Sequence, residues 1–266
     1  MKSDSRIYGR LRDTYGLLLE MYGPRGWWPI PLGSARCRDD RGYHPGDYDV
    51  PRTPIERFQV ILGAVLTQNT TWSNAEKALR ALMKAGVGTA PALMGCPPKK
   101  IALLIKPSGY FNQKTRKLMS LCPLLSARGF LSAKRPPSRE SLLSIWGIGP
   151  ETADSILLYA FKLPFFVVDA YTRRLLARLD LIEGREGYLE IQGMFHNALK
   201  RDHELFNEYH ALVVEHAKRF CRARPVCGNC PLGDVCLKGK PPRRPTKCPG
   251  FATAPNRRRS SPPPKT

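Results

Sequence analysis

The chain has 266 residues, 42% of them hydrophobic and 24% charged, and a formal net charge of +21. That length and apolar content allow a real core in one large domain or two small ones. The cation excess points first to a polyanion such as nucleic acid, with a basic ribosomal or membrane-surface protein as the alternative.

From Leu237 onward there are nine Lys or Arg and no acid. The preceding body still carries an excess of positive charge once those nine are removed. Met1-Lys2-Ser3-Asp4-Ser5-Arg6 lacks the apolar core of a signal peptide, and no stretch approaches about 18 uninterrupted apolar residues. The expectation is an intracellular protein, in the cytoplasm or nucleoid if the host is a prokaryote. Eight cysteines in a reducing compartment argue against a disulfide framework, and four of them crowd between Cys221 and Cys236, which suggests a metal.

In chain order, Ile7, Leu11, Tyr15, Leu18, Leu19 and Tyr22 recur at helical spacing and predict an amphipathic helix over 5–22. Residues 23–52 are rich in Pro, Gly, Asp and Arg and predict an irregular surface segment, in which Trp27 and Trp28 either cover a core edge or bind a ligand. Thr53-Pro54-Ile55-Glu56 is a helix start: Thr53 caps, Pro54 suits the first turn and Glu56 completes a capping box. Phe58, Ile61, Leu62, Val65 and Leu66 then make that helix apolar on most sides, hence central. It ends in the polar run Thr67-Gln68-Asn69-Thr70-Thr71-Trp72, which either caps the helix or lines a pocket.

Further helices are predicted over 73–84, 97–105 and 112–127, with breaks at Gly86 to Gly88, at Pro97-Pro98 and at Ser108-Gly109-Tyr110. A basic loop around 133–137 leads into Leu142-Leu143-Ser144-Ile145-Trp146-Gly147-Ile148-Gly149-Pro150-Glu151-Thr152-Ala153. No period-2 strand or sequence-wide repeat is found, so the chain reads as all-α.

Within that last stretch one short helix closes at a Gly-x-Gly turn, and Pro150 starts another with apolar residues at Ala153, Ile156, Leu157, Ala160 and Phe161. Gly147 and Gly149 permit a tight backbone, and amides at a helix N-terminus suit a phosphate. The apolar run 163–168 then ends at Asp169, followed by a helix carrying Tyr171, Leu175, Leu176 and Leu179. Asp169 reads as an N-cap, and a carboxylate there can also face a sugar carbon.

Residues 141–179 resemble the helix-hairpin-helix, Gly/Pro-rich loop and Asp motif of the endonuclease III superfamily of DNA glycosylases. Weaker similarity runs from Pro54 to the cysteine cluster, including a buried helix that ends in Gln68 and a Gly109-Tyr110 segment with Lys114. The resemblance implies a two-lobed helix-hairpin-helix glycosylase fold that binds double-stranded DNA with damaged bases, with Asp169 as the catalytic carboxylate. An ionised Asp beside C1′ stabilises the positive charge that glycosidic cleavage creates and orients water. Gly147, Ile148, Gly149 and Glu151 are then expected on the DNA backbone. Gln68 is expected to fill the gap left by the extruded base.

Two departures narrow the chemistry. Bifunctional members carry a lysine where this chain has Glu151, and a carboxylate cannot form a Schiff base, so a monofunctional, water-using glycosylase is expected. Trp27-Trp28-Pro29 and residues 66–72 resemble the subgroup that includes 3-methyladenine glycosylases. In it, aromatics from these two regions, here Trp72 with Trp27 or Trp28, sandwich an electron-poor alkylated purine. The alternatives are a bifunctional glycosylase/lyase for oxidised pyrimidines and a catalytically silent DNA-binding protein.

Cys221, Cys227, Cys230 and Cys236 stand at x5, x2, x5 spacing and could hold zinc or a [4Fe-4S] cluster. The superfamily resemblance favours the cluster, in a structural role, although relatives usually have six residues in the first gap. Arg222 and Arg224 in that gap are expected to meet the DNA backbone. Cys37, Cys96, Cys122 and Cys248 have no ligand spacing.

The expected organisation is an N-terminal helix and Trp-containing loop (1–52), a helical barrel with the hairpin (53–162), a lobe with the Asp helix and cluster loop (163–240), and a disordered basic tail (241–266). The protein is expected to act as a monomer.

Overall fold

A computed structural model of the chain describes residues 4–32, 39–127, 129–132 and 136–236. The basic tail, Cys37, Cys248 and most of the basic loop before the hairpin lie outside those residues. The helices in order are α1 (Asp4–Tyr22), α2 (Pro54–Leu66), α3 (Trp72–Lys84), α4 (Ala90–Met94), α5 (Pro98–Leu104), α6 (Phe111–Ala127), α7 (Arg139–Leu143), α8 (Pro150–Ser155), α9 (Ala170–Arg178), α10 (Tyr188–Ala198) and α11 (His203–Arg219). After Ser155, α8 widens into a π-helical turn, Ile156–Ala160. Among the described residues there is no strand, and no helix is long and apolar enough to cross a membrane.

Helix α2 forms as its sequence dictates. Thr53 accepts the Glu56 amide at 3.2 Å, and the Glu56 carboxylate returns to the Thr53 and Arg52 amides at 3.0 and 2.7 Å. Such a cap contributes about 1 kcal/mol. Phe58 and the run from Val60 to Leu66 are buried, each large side chain contributing about 1.5–3 kcal/mol. The helix packs against α3, α6 and the π turn. At its far end the buried Lys114 donates its ammonium to Leu66 O at 2.8 Å and Ser108 O at 2.7 Å. Lys114 is therefore a cap for α2, tying it to the turn before α6.

Helix α1 packs on α10 and α11, and α9 packs on α11. The described parts of the segment after α1 are irregular as expected, but they are not wholly at the surface: Trp28, Ile30, His44 and Val50 are buried. Apolar anchors and backbone pairing outweigh its polar composition. Ile30 N donates to Gly42 O and His44 N to Gly26 O. Gly26 and Gly42 have positive φ and approach that paired backbone so closely that a Cβ on either would overlap it. Gly63, inside α2, leaves room for the Trp28 indole, whose Nε1 would lie 2.7 Å from an added Cβ.

Candidate active site

The hairpin joins α7 to α8 through residues 144–149. Gly147 has φ +79°, a conformation that favours glycine, and a Cβ there would sit 2.5 Å from Lys117 Cε, so that side chain would have to shift. Ile148 buries its side chain and donates its amide to Ile145 O at 3.1 Å, which makes it the anchor of the turn. Gln68, at the end of α2, donates to Thr152 Oγ1 at 2.7 Å and accepts from Lys117 Nζ at 2.5 Å. The polar run after α2 is thus fastened to the hairpin. Beside the turn Trp146 is exposed, with the Arg116 guanidinium 4.0 Å above its ring.

The hairpin is also bolted to the approach to Asp169. Asp154, fully buried on α8, takes Arg139 Nε at 2.7 Å and Nη2 at 3.1 Å from α7, and Gln192 Nε2 at 2.8 Å from α10. Gln192 also donates to Phe166 O at 2.7 Å. The Phe166 and Val168 amides reach His196 Nε2 and the Tyr188 hydroxyl. A segment without regular structure therefore has its backbone groups paired, as buried backbone requires.

Asp169 is the N-cap of α9: Oδ1 accepts the Thr172 amide at 2.7 Å. Its other oxygen lies 3.5 Å from His210 Nε2 on α11. Burial would raise this carboxyl, but the neighbouring His210 imidazole and the Thr172 amide outweigh it and hold Asp169 below its usual range. Glu151, at the start of α8, behaves oppositely. Desolvation and then the Asp169 charge raise it, against His210 and Arg173. The two carboxyls share one electrostatic neighbourhood with opposite shifts, although Glu151 keeps solvent access.

Around Asp169 the aromatics converge. Trp28 stands edge-on to Trp72, centroids 5.5 Å apart, and 5.2 Å from Tyr159. Trp27 lies 5.8 Å from Trp28 and 5.6 Å from His210. Trp28 is buried and forms a backing wall, whereas Trp27 and Trp72 are half-buried. Asn207 Nδ2 holds Trp27 O at 2.8 Å, and Glu208 holds the Arg25 amide at 2.6 Å and the Tyr48 hydroxyl at 2.9 Å. Tyr159 and His210 went unread in the sequence. Tyr159 lies between Leu157 and Ala160, off the apolar positions of its helix, and His210 stands on a helix that the sequence pattern does not mark. A Tyr and a His amid otherwise apolar helical faces were the available signal, as was Asp154.

Near the C-terminal end of the described chain, the four cysteines form one locality. Burial raises the Cys230 thiol, a nearby backbone amide opposes that, and the thiols of Cys236, Cys221 and Cys227 raise it further. Arg178 Nη1 donates to Cys221 Sγ at 3.2 Å and to Arg222 O at 2.6 Å, and Arg174 Nε donates to Cys221 O at 2.8 Å. Among the described residues no three His, Cys, Asp or Glu side chains are gathered tightly enough to grip a metal ion. In chemistry the donor set, four thiols with the Arg178 guanidinium at Cys221, still fits a thiolate-bound group. Arg222 and Arg224 are exposed on this loop; Arg222 Nε reaches Lys218 O at 2.8 Å. Cys96 and Cys122 are buried thiols elsewhere.

Residues 62–201 match the model of the HhH-GPD superfamily of base excision DNA repair proteins. A protein of Methanocaldococcus jannaschii provisionally named a DNA repair glycosylase is 36% identical over 84% of this chain and 94% of its own length. Endonuclease III of Thermotoga maritima is 30% identical over 67% of this chain and 82% of its own. Among solved structures, the 3-methyladenine DNA glycosylase of H. pylori bound to 1,N6-ethenoadenine superposes with a TM-score of 0.60 at 27% identity, covering 80% of this chain and 97% of that one. An endonuclease III–DNA complex superposes with a TM-score of 0.67 at 22% identity over 90% and 97%, a likeness of fold.

Proposed function

Because the chain belongs to the HhH-GPD superfamily of base excision DNA repair proteins, and is a DNA glycosylase of that family, we propose that it is a monofunctional enzyme for alkylated purines. The observation that carries this reading is Asp169, pinned at a helix N-terminus beside an aromatic cluster, with Glu151 where an amine nucleophile would stand. The DNA duplex lies across the mouth between the helices of 54–160 and the group formed by α1, α9, α10 and α11. Amides of the turn at Gly147 and Gly149 meet one phosphate, as helix N-termini do, and Arg222 and Arg224 meet another. Gln68, held at the hairpin, faces the gap left by the extruded base.

The extruded base lies against Trp27 and Trp72, with Trp28 and Tyr159 behind them. Indole faces favour an electron-poor, often cationic ring over a neutral one, and the Asp169 and Glu151 carboxyls add to that preference. The ligand of the H. pylori relative, 1,N6-ethenoadenine, supports a modified purine. As the glycosidic bond lengthens, charge develops on the sugar and the fixed Asp169 carboxylate stabilises it where it forms. Water then attacks C1′, oriented by the same carboxylate. Cys221, Cys227, Cys230 and Cys236 would hold a [4Fe-4S] cluster, whose part is to brace the loop bearing Arg222 and Arg224.

One observation favours a second reading, a glycosylase/lyase. Lys218 Nζ lies 5.8 Å from the Trp27 ring centroid. Desolvation lowers its pKa, with Glu215 and Asp169 opposing and Arg41 and Arg25 adding to it. A lysine so disposed is a candidate amine nucleophile.

The test is an assay on duplexes carrying a methylated purine, an oxidised pyrimidine or an abasic site, analysed with and without alkali. Base release from the methylated purine, with strand breaks only after alkali, is expected. Breaks without alkali, and borohydride trapping lost in Lys218→Ala, would establish the second reading instead.

A further inference from the structure

Behind Asp169 the cluster contains a chain of polar groups that the glycosylase reading does not require. The Tyr159 hydroxyl lies 2.5 Å from His210 Nδ1, and His210 Nε2 lies 3.5 Å from Asp169 Oδ2. Tyr159 and His210 are buried, and Nε2 makes no hydrogen bond within usual limits. Tyr159 sits in the π turn after α8, an irregularity often found at functional sites.

We infer that Tyr159 and His210 form a relay that fixes the Asp169 carboxylate, with His210 as a positioning residue that donates through Nε2–H; the inference rests on the reading of Asp169 as the catalytic carboxylate. A buried phenol donates its proton to a partner, and here that partner is Nδ1. An imidazole that accepts at Nδ1 and is neutral carries its proton on Nε2. Nε2–H then faces Oδ2, while the Thr172 amide holds Oδ1. Both oxygens are thereby held and the plane of the carboxylate is set. At 3.5 Å the His210 contact is long, and such bonds tighten when substrate closes the site.

The other groups around His210 fit this arrangement. Glu151 on α8 interacts electrostatically with His210, and the rings of Trp27 and Phe166 pack at 5.6 and 6.4 Å. Burial, then the Asp169 and Glu208 carboxylates, hold the Tyr159 phenol well above its usual pKa, so it keeps the proton it donates.

The test uses the full chain. Single-turnover release of methylated purines from dimethyl sulfate-treated duplex DNA is measured beside affinity for the same duplex. His210→Leu should slow release about 30-fold while the dissociation constant moves by less than about 3-fold. His210→Gln, which keeps a donor, should recover part of the rate, and Tyr159→Phe should cost about 10-fold by freeing the tautomer. The double variant should be no slower than His210→Leu alone, the signature of one chain of contacts.

Nitrogen-15 imidazole spectra of the unmodified protein should place the His210 proton on Nε2, and Tyr159→Phe should redistribute it. A proton on Nδ1, additive rate losses, or full activity in His210→Leu while Asp169→Asn is inactive would each overturn the relay. Full activity in Asp169→Asn overturns the catalytic reading instead, and the spectra then decide the relay independently of turnover.

Discussion

The hairpin and the aromatic cluster proposed as the base pocket lie side by side but are built by different means. The hairpin is local: Gly147, Ile148, Gly149 and Pro150 follow one another, and the grip on DNA proposed for them rests on backbone conformation and amides. The pocket is assembled from the N-terminal loop (Trp27, Trp28), the start of α3 (Trp72), the π turn (Tyr159), the N-cap of α9 (Asp169) and α11 (His210). Grip on a uniform backbone needs only a short repeating geometry. Discrimination among bases needs faces and charges brought from several directions. Damage to the hairpin should therefore weaken binding of any duplex, and damage to the pocket should spare binding and reduce chemistry.

The sharpest break between the two regions is expected from Asp169→Asn. It should lower single-turnover base release by about 10³-fold or more, with duplex affinity kept within a few-fold. Because Asn caps helices nearly as well as Asp, the thermal midpoint should barely move. A matching loss of affinity in gel-shift titrations would erase the distinction between grip and chemistry.

Trp27→Ala should come next. Removing a half-buried ring from the cluster should slow release from methylated DNA by about 10–100-fold, reflecting lost stacking of about 1–3 kcal/mol per base. Undamaged duplex should bind as before, which fluorescence anisotropy would check.

Gly147→Ala should reverse the pattern. A Cβ at φ +79° and 2.5 Å from Lys117 Cε costs about 1–2 kcal/mol of stability. It should weaken damaged and undamaged duplexes alike, by about 10-fold, with little change in single-turnover rate at saturating protein.

The smallest effect concerns the segment that joins the regions. Burial, and then the Arg201 charge, lower His196 from 6.5 to about 4 in the folded protein. The unfolded chain therefore binds more protons between those values, and stability falls as pH drops from about 6.5 toward 4. His196→Gln should flatten that limb of a melting-temperature profile, with the shape above pH 7 unchanged.

How much could be read in advance follows the same division. The capping box at Thr53 and Glu56, the apolar α2, the turn at Gly147 and the cap at Asp169 depend on neighbours within a few residues, and each stands where its sequence places it. Helix α4, the burial of Trp28, Ile30, His44 and Val50, Tyr159 and His210 do not. Helix α4 is one short turn inside a Gly- and Pro-marked gap. That burial goes with pairing between Ile30 and Gly42 and between His44 and Gly26, which local composition does not record. Lys114 reads as part of a basic helix and instead caps α2, because only packing brings its ammonium to Leu66 O.

The sequence by itself determined the all-helical class, the hairpin, the Asp at a helix start, the cysteine spacing and the carboxylate at Glu151, since each is fixed by residue type at short range. Tertiary structure alone decided that Trp27 and Trp72 share one cluster with Tyr159, that Gln68 is fastened to the hairpin, and that His210 faces Asp169. Those juxtapositions join residues tens to more than a hundred positions apart. They arise from burial of apolar faces, a non-directional force that encodes no partner in any single stretch of chain.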